Sequence, residues 1–442
     1  MSTCRILRIC LGRSIPLTHK LKSERFNSLN YSQQIRELQQ GNLIYPGSWS
    51  AAMNKLGNES VDVLVDIKPI QEKWCIENKV NIDFRSANWM IKVLSAQIVQ
   101  MEPTILFFQG GAFQAFSTKQ REYLRSNHKS IRLIIGFWGD ALTNEAHYRQ
   151  AFGGTDFMFT ASHRYTAMFE RARIKCETLG WSFEPDVDGA RDLRIKKLAK
   201  NDLVFTGSTG YGQDLHRGRY DDLVEIMGKT NLHVWADEAD LKKQKTDQIE
   251  DTRRASRKLF SKAIHTLLEH LSIEMLQKLR RSSLINWKFA KIIESQIDKK
   301  RGVVPKGEYF VSKKKISQLF PERSHPAVYG KDYYQLIGES RVVLNRHRDE
   351  IADGPNIRVY EVTGAGACLL TDREELVSEY FDIDSEVVTY SSPQEAVEKA
   401  LYLLRHDEER SRIARAGQEK TLRLYTTAQR CKRVDQVLKS LL

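Results

Sequence analysis

An α/β fold of two Rossmann-like domains is predicted for this 442-residue chain by three observations. Short β-branched and aromatic runs alternate with amphipathic stretches of helical period, the pattern of parallel strands covered on both faces by helices. That alternation runs to residue 179, pauses over a charged segment at 182–202, and starts again at Leu203. The length also exceeds the roughly 250–300 residues at which one hydrophobic core stops growing, so two domains are expected.

In the first half, strands are expected at residues 5–11, 61–66, 104–108, 131–137, 156–160 and 174–179. Helices are expected between them at 49–56, 87–99, 119–125 and 163–173. Arg5 and Arg8 interrupt the first apolar run, which therefore reads as a strand and not a signal peptide. The stretch 182–202, with Pro185 and Gly189 and no apolar period, reads as a linker. The second half opens on a strand ending in Gly207-Ser208-Thr209-Gly210, followed by a helix from about Tyr220 and a strand at 232–235. The sheet resumes at Arg341. Near the end, Ser392 with Glu395 and Thr426 with Gln429 have capping-box spacing, and Asp407 stands where a helix cap is expected.

Composition narrows the class. Hydrophobic residues make up 41% of the chain, enough for globular folding throughout. Six scattered cysteines without a C-x-x-C pair read as reduced thiols, neither a disulfide frame nor a zinc site. No apolar run approaches the roughly 18–20 residues of a membrane span, so a cytoplasmic protein is expected. The net charge of +13 is concentrated at residues 241–320, where 20 Lys and Arg meet 8 Asp and Glu. This basic, helical insert shows no zinc-finger spacing, aromatic strand pair or helix-turn-helix, which argues against nucleic acid. Three readings remain for it: a solvated salt-bridged face, contact with an anionic membrane surface on the inner face of a membrane, or recognition of an acidic acceptor.

The chemistry is expected around residues 345–372, N-R-H-R-D-E-I-A-D-G-P-N-I-R-V-Y-E-V-T-G-A-G-A-C-L-L-T-D. Two apolar runs, 341–344 and 367–370, read as parallel core strands. Between them Pro355 fits a first helical position, and Gly364 and Gly366 fit a helix exit. Glu361 then sits on a helix at the strand-end face, where open α/β sheets bind ligands. Its carboxylate suits the two hydroxyls of a ribose; the plainer alternative is an ion pair with Arg358. Asn345 and His347 lie just beyond a strand end, with side chains suited to sugar hydroxyls or phosphate oxygens. Gly207, Ser208 and Thr209 follow a strand directly, so their N–H groups suit phosphate, with a plain glycine turn as the alternative. Gly364-Ala365-Gly366 is no dinucleotide fingerprint, because it closes a helix and Leu369 takes the third glycine's place. Asp382 and Asp384 read as solvated loop, and no metal site is expected. In the first domain Gln109, Gly110, Gly111, Trp138, Gly139 and Asp140 are candidates to line an acceptor site, Asp140 as a general base or as a helix cap.

The residues Asn345, His347, Asn356, Arg358, Glu361, Thr363, Gly364, Thr371 and Asp372, with the run Ala414-Arg415-Ala416-Gly417-Gln418-Glu419, resemble the C-terminal half of group 1 glycosyltransferases. The branch that they most resemble contains the CgeB-type spore-maturation proteins. Looser similarity covers most of the chain, and the close part is the last hundred residues. The resemblance implies a GT-B architecture with two Rossmann-like domains facing a central cleft: an acceptor domain at 1–185, a donor domain at 186–426 and a terminal helix at 427–442 crossing back. It assigns Glu361 to the ribose of a nucleotide-diphosphate sugar and Arg219 to its pyrophosphate, with Asn345, Asn356, Arg358, Thr363 and Gly364 around the donor. The implied activity is transfer of a sugar to a cell-surface glycan or lipid-linked acceptor, with no cofactor beyond the donor itself. A nucleotide-sugar epimerase of the same fold, or a non-enzymatic lipid- or polyanion-binding protein on a degenerate scaffold, are the other readings. Two departures stand out. Asp353 replaces the first Glu of the E-x7-E motif, leaving retaining chemistry open, and Tyr425 stands where the family often has histidine.

Overall fold

The computed structural model describes residues 4–12, 17, 20–139, 145–185, 199–211, 217–238, 271–272, 274–277, 313–347, 355–372 and 377–442. Its strands form two six-stranded sheets. The first has the order β2-β1-β3-β4-β5-β6, from β1 (Arg5–Cys10), β2 (Glu59–Leu64), β3 (Ile105–Gln109), β4 (Leu133–Trp138), β5 (Phe157–Thr160) and β6 (Cys176–Thr178). The second has the order β12-β11-β10-β7-β8-β9, from β7 (Asn201–Thr206), β8 (Leu232–Trp235), β9 (Ser324–His325), β10 (Ser340–Asn345), β11 (Cys368–Asp372) and β12 (Val388–Tyr390). Neighbouring strands run parallel, as in β1 with β3 and β10 with β11.

The central strands β3, β4 and β11 form where the sequence offers largely apolar runs, the signature of strands buried on both faces. All six residues of β4 are buried. Gly136 within it is required by packing, since a Cβ there would overlap the Phe113 ring and the Phe108 carbonyl. Six helices carry the functional argument: α1 (Trp49–Lys55), α2 (Arg217–Lys229), α3 (Gly330–Gly338), α4 (Ile357–Ala365), α5 (Asp407–Leu424) and α6 (Thr427–Leu441).

By packing, the described residues of Met1–Val204, Val328–His347 and Ile351–Leu442 form one compact unit, and those of Phe205–Ala327 another. In the first unit α6 lays Cys431, Val434, Val437 and Leu438 into the core of the first sheet. Asn58 donates to Asp435 at 2.8 Å, and Phe183 and the start of α6 exchange backbone bonds through Tyr425 and Thr427.

Arg8, which reads in sequence as an interruption, is fully buried. It lies directly opposite Asp62 in the β1–β2 register and meets its carboxylate through Nε at 2.7 Å and Nη2 at 2.8 Å. Ser50 and Gln39 also donate to Asp62, at 2.5 and 2.6 Å. The charge is tolerated in the core because it is paired and forked.

Two sequence expectations shift, the first residue of α4 by two positions and the cap of α5 by one. Asn356, not Pro355, begins the turn into α4, since its side chain accepts the Arg358 N–H and acts as the N-cap. Asp407 does not cap α5 but is its first residue, paired with Arg341 and Arg410. The expectations for Asp140, Asp353, the linker over 186–198 and the basic insert over 241–270 and 278–312 lie outside the described residues.

Candidate functional site

The first site is built where β10 and β11 end side by side, with Asn345 in register with Thr371. Asn345 donates to the Thr371 hydroxyl at 3.0 Å and accepts from Asn356 Nδ2 at 3.2 Å. One residue beyond the strand pair, Asp372 gathers donors. The His347 backbone N–H reaches both carboxylate oxygens at 2.9 and 3.0 Å, His347 Nδ1 lies 2.6 Å from Oδ1, and Arg346 donates to Oδ2 at 3.1 Å. Burial opposes ionisation of Asp372, but His347 and Arg346 outweigh it and hold the carboxyl at about 2. His347 Nε2 accepts the Asn356 backbone N–H at 3.2 Å, so the ring carries its proton on Nδ1. Asn345, His347, Asp372 and Asn356 thus tie the strand ends to the first turn of α4, orienting its N-terminus.

From that cap, Glu361 lies about 7–8 Å along α4 at the usual helical rise. It is 8% exposed, and its carboxylate accepts from the Tyr333 hydroxyl at 2.7 Å and from the Tyr334 hydroxyl at 3.4 Å, both on α3. Among the described residues no cation reaches ion-pair distance of Glu361. A carboxylate offers about four acceptor positions, and these two bonds leave it capacity for a diol. The ion pair with Arg358 does not form; that guanidinium stacks over the Tyr333 ring at 5.3 Å.

Thr363 and Gly364 are explained by packing. Thr363 is buried, donates to the Val359 carbonyl at 2.7 Å and lies 2.7 Å from the Thr421 hydroxyl on α5. A Cβ on Gly364 would overlap the Phe183 ring. Its carbonyl accepts from Gln418 at 3.1 Å, so part of the Ala414–Glu419 run serves to dock α5 onto α4. Gly366 closes α4 in the left-handed region at φ +85.

The second unit holds the remaining predicted group. Gly207 N–H continues the sheet by donating to the Trp235 carbonyl at 3.0 Å, so it is committed to the backbone. The Ser208 and Thr209 hydroxyls accept from the Gly210 and Tyr211 N–H groups at 3.1 and 3.3 Å, forming tight turns. Arg219 on α2 donates to the Ser208 carbonyl at 3.1 Å, which ties the helix to the loop. Within the same unit, Thr209, Val234, Glu238, Lys315 and His325 help to line a cavity of about 430 Å³. His325 stacks on Trp235 at 4.2 Å and lies 3.0 Å from His233.

Sequence reasoning passed over Tyr333, Tyr334 and the clasp of Asp372. Tyr333 and Glu361 are 28 residues apart on different helices, beyond any local periodicity. The Asp372 signal was available, since Asp372 ends its strand one residue past the partner of Asn345.

Two parallel six-stranded sheets with flanking helices define the GT-B class, the two-Rossmann-domain fold of glycosyltransferases. Residues 302–436 match the family model described as glycosyl transferase-like. Among solved structures, the chain resembles sucrose-phosphate synthase from Thermosynechococcus elongatus, with a TM-score of 0.52 and 9% identity over 99% of this chain and 98% of that one. It also resembles Anabaena HepE in complex with UDP and glucose, with a TM-score of 0.53 and 11% identity over 99% of this chain and 100% of that one. At such identities the likeness is one of fold. No curated protein matches the chain.

Proposed function

We propose that the protein is a glycosyltransferase that moves a sugar from a nucleotide-diphosphate sugar to an acceptor. The observation that carries this reading is Glu361, a nearly buried carboxylate with spare acceptor capacity and two phenol partners, inside the segment that matches the glycosyl transferase-like model. Its role is to accept both hydroxyls of the donor ribose. His347, Asn345, Asn356 and Asp372 act through α4, fixing the helix that carries the carboxylate. Catalysis then comes from positioning and from stabilising the departing diphosphate, with no metal required. HepE, solved with UDP and glucose, lends support to a nucleotide-sugar donor.

The finer assignment is a CgeB-type hexosyltransferase of polysaccharide synthesis acting on a cell-surface glycan or lipid-linked acceptor. It works in the cytoplasm, with the basic residues of 241–320 against an anionic membrane surface, and it rests on the sequence resemblance and the charge pattern.

The test is a panel of nucleoside diphosphates and nucleotide-sugars, read by thermal shift without added metal, on wild type and Glu361→Ala. Selective stabilisation by one nucleotide, lost in the variant, is expected. No shift with any donor would overturn the reading, and turnover of donor alone to an epimeric sugar would replace it with the epimerase.

A further inference from the structure

The loop 41–48, which precedes α1, is anchored from three sides. The buried Arg8 extends Nη2 from Asp62 to the Pro46 carbonyl at 2.9 Å, the Glu184 carboxylate accepts the Ser48 N–H at 2.8 Å, and the Tyr45 hydroxyl donates to the Ser182 carbonyl at 2.7 Å. Asn42 closes the loop on itself. It sits in the left-handed region at φ +51, which asparagine tolerates better than most residues, and its Oδ1 accepts the Gly47 N–H at 3.2 Å.

This loop lies directly on the start of α3. A Cβ on Gly330, the first residue of that helix, would come within 2.6 Å of the Gly41 carbonyl oxygen, so glycine permits a close approach of the two backbones. Beside it Asn42 Nδ2 donates to the Tyr334 hydroxyl at 3.4 Å. The directions of these bonds follow from their partners. A backbone N–H can only donate, so Gly47 draws Asn42 Oδ1 toward itself and leaves Nδ2 for Tyr334. The Tyr334 oxygen accepts from Nδ2 and directs its own proton to Glu361 Oε1, also at 3.4 Å. Tyr334 is 1% exposed, and burial, aided by the Glu361 charge, pushes its phenol well above the usual range, so it stays a donor. Both bonds are long, and what they supply is direction. With Tyr333 on Oε2 at 2.7 Å, each oxygen of the carboxylate has one phenol donor, and its plane is set from outside α4.

Taking Glu361 as the ribose ligand, we propose that Asn42 is a positioning residue for its carboxylate, acting through Tyr334, and that the loop 41–48 thereby sharpens recognition of the ribose diol. A diol engages both carboxylate oxygens at once, so it depends on the plane of the group as well as on its place. Releasing Tyr334 leaves the carboxylate held at Oε2 alone, so the loss falls on the diol and spares the rest of the nucleotide.

The test is a calorimetric titration of the full chain with UDP, GDP and ADP, each beside its 2′,3′-dideoxy form, on wild type, Asn42→Gly, Tyr334→Phe and the double variant. Glycine keeps the left-handed backbone at 42, and phenylalanine keeps the ring at 334. Each single variant should weaken the natural nucleotide that wild type binds by about three- to tenfold and leave its dideoxy form within about twofold. The double variant should lose no more than the larger single loss, since both act through one hydroxyl. An unchanged ratio of natural to dideoxy affinity in Asn42→Gly overturns the positioning role. Equal losses for the two forms overturn it as well, as the mark of a general packing defect. Wild type that binds none of the six nucleotides, or binds both forms equally, overturns the donor reading of Glu361 and this role with it.

Discussion

Asp62 and Glu361 are both carboxylates withdrawn from solvent, at 1% and 8% exposure, yet their surroundings differ in kind. Asp62 receives a forked arginine, a serine and a glutamine, so its acceptor positions are filled and its charge neutralised. Glu361 receives two phenols, with no cation at ion-pair distance among the described residues. A saturated carboxylate can only hold the fold; a carboxylate left with acceptor capacity and charge can take part in recognition.

The contrast breaks most visibly at Asp62. Asp62→Ala strands the fully buried Arg8 and should cost about 3–5 kcal/mol in urea unfolding; a loss below about 1 kcal/mol would show the pair to be dispensable. Asp372 comes next. Its carboxyl is held at about 2 against an ordinary 3.8, so the ionised form is favoured by the native state. Its stabilising contribution is present above the ordinary value and is lost as pH falls through about 2. That amounts to roughly 2 kcal/mol, and Asp372→Asn should flatten the acid limb of stability against pH. Smaller still is Tyr333→Phe, which removes one bond to Glu361 and should lower stability by about 0.5–1.5 kcal/mol by thermal unfolding. Glu361→Gln keeps shape and should change stability least, within about 1 kcal/mol, because no ion pair is lost. A larger loss would place Glu361 with Asp62 among the structural carboxylates.

Much of the fold is legible in the sequence because its central strands are largely apolar and its helices carry local signals. β4 and β11 can be read from their residues alone, and α4 from the proline before it and its closing glycine, although its cap falls on Asn356. The site is legible only as a neighbourhood. Asn345, His347 and Asn356 do cluster, but their side chains bond to one another and to Asp372. Choosing between a ligand and an internal partner needs the register of β10 against β11, which no single segment contains. Arg8 shows the same limit: its partner stands 54 residues away on the neighbouring strand.

The most direct measurement is a calorimetric titration of wild type and Glu361→Gln with the preferred nucleoside diphosphate and with its 2′,3′-dideoxy form. If Glu361 holds the ribose diol, the substitution weakens the natural nucleotide by about 10–100-fold and leaves the dideoxy form nearly unchanged. Equal losses for both nucleotides, or no loss for either, would contradict that role.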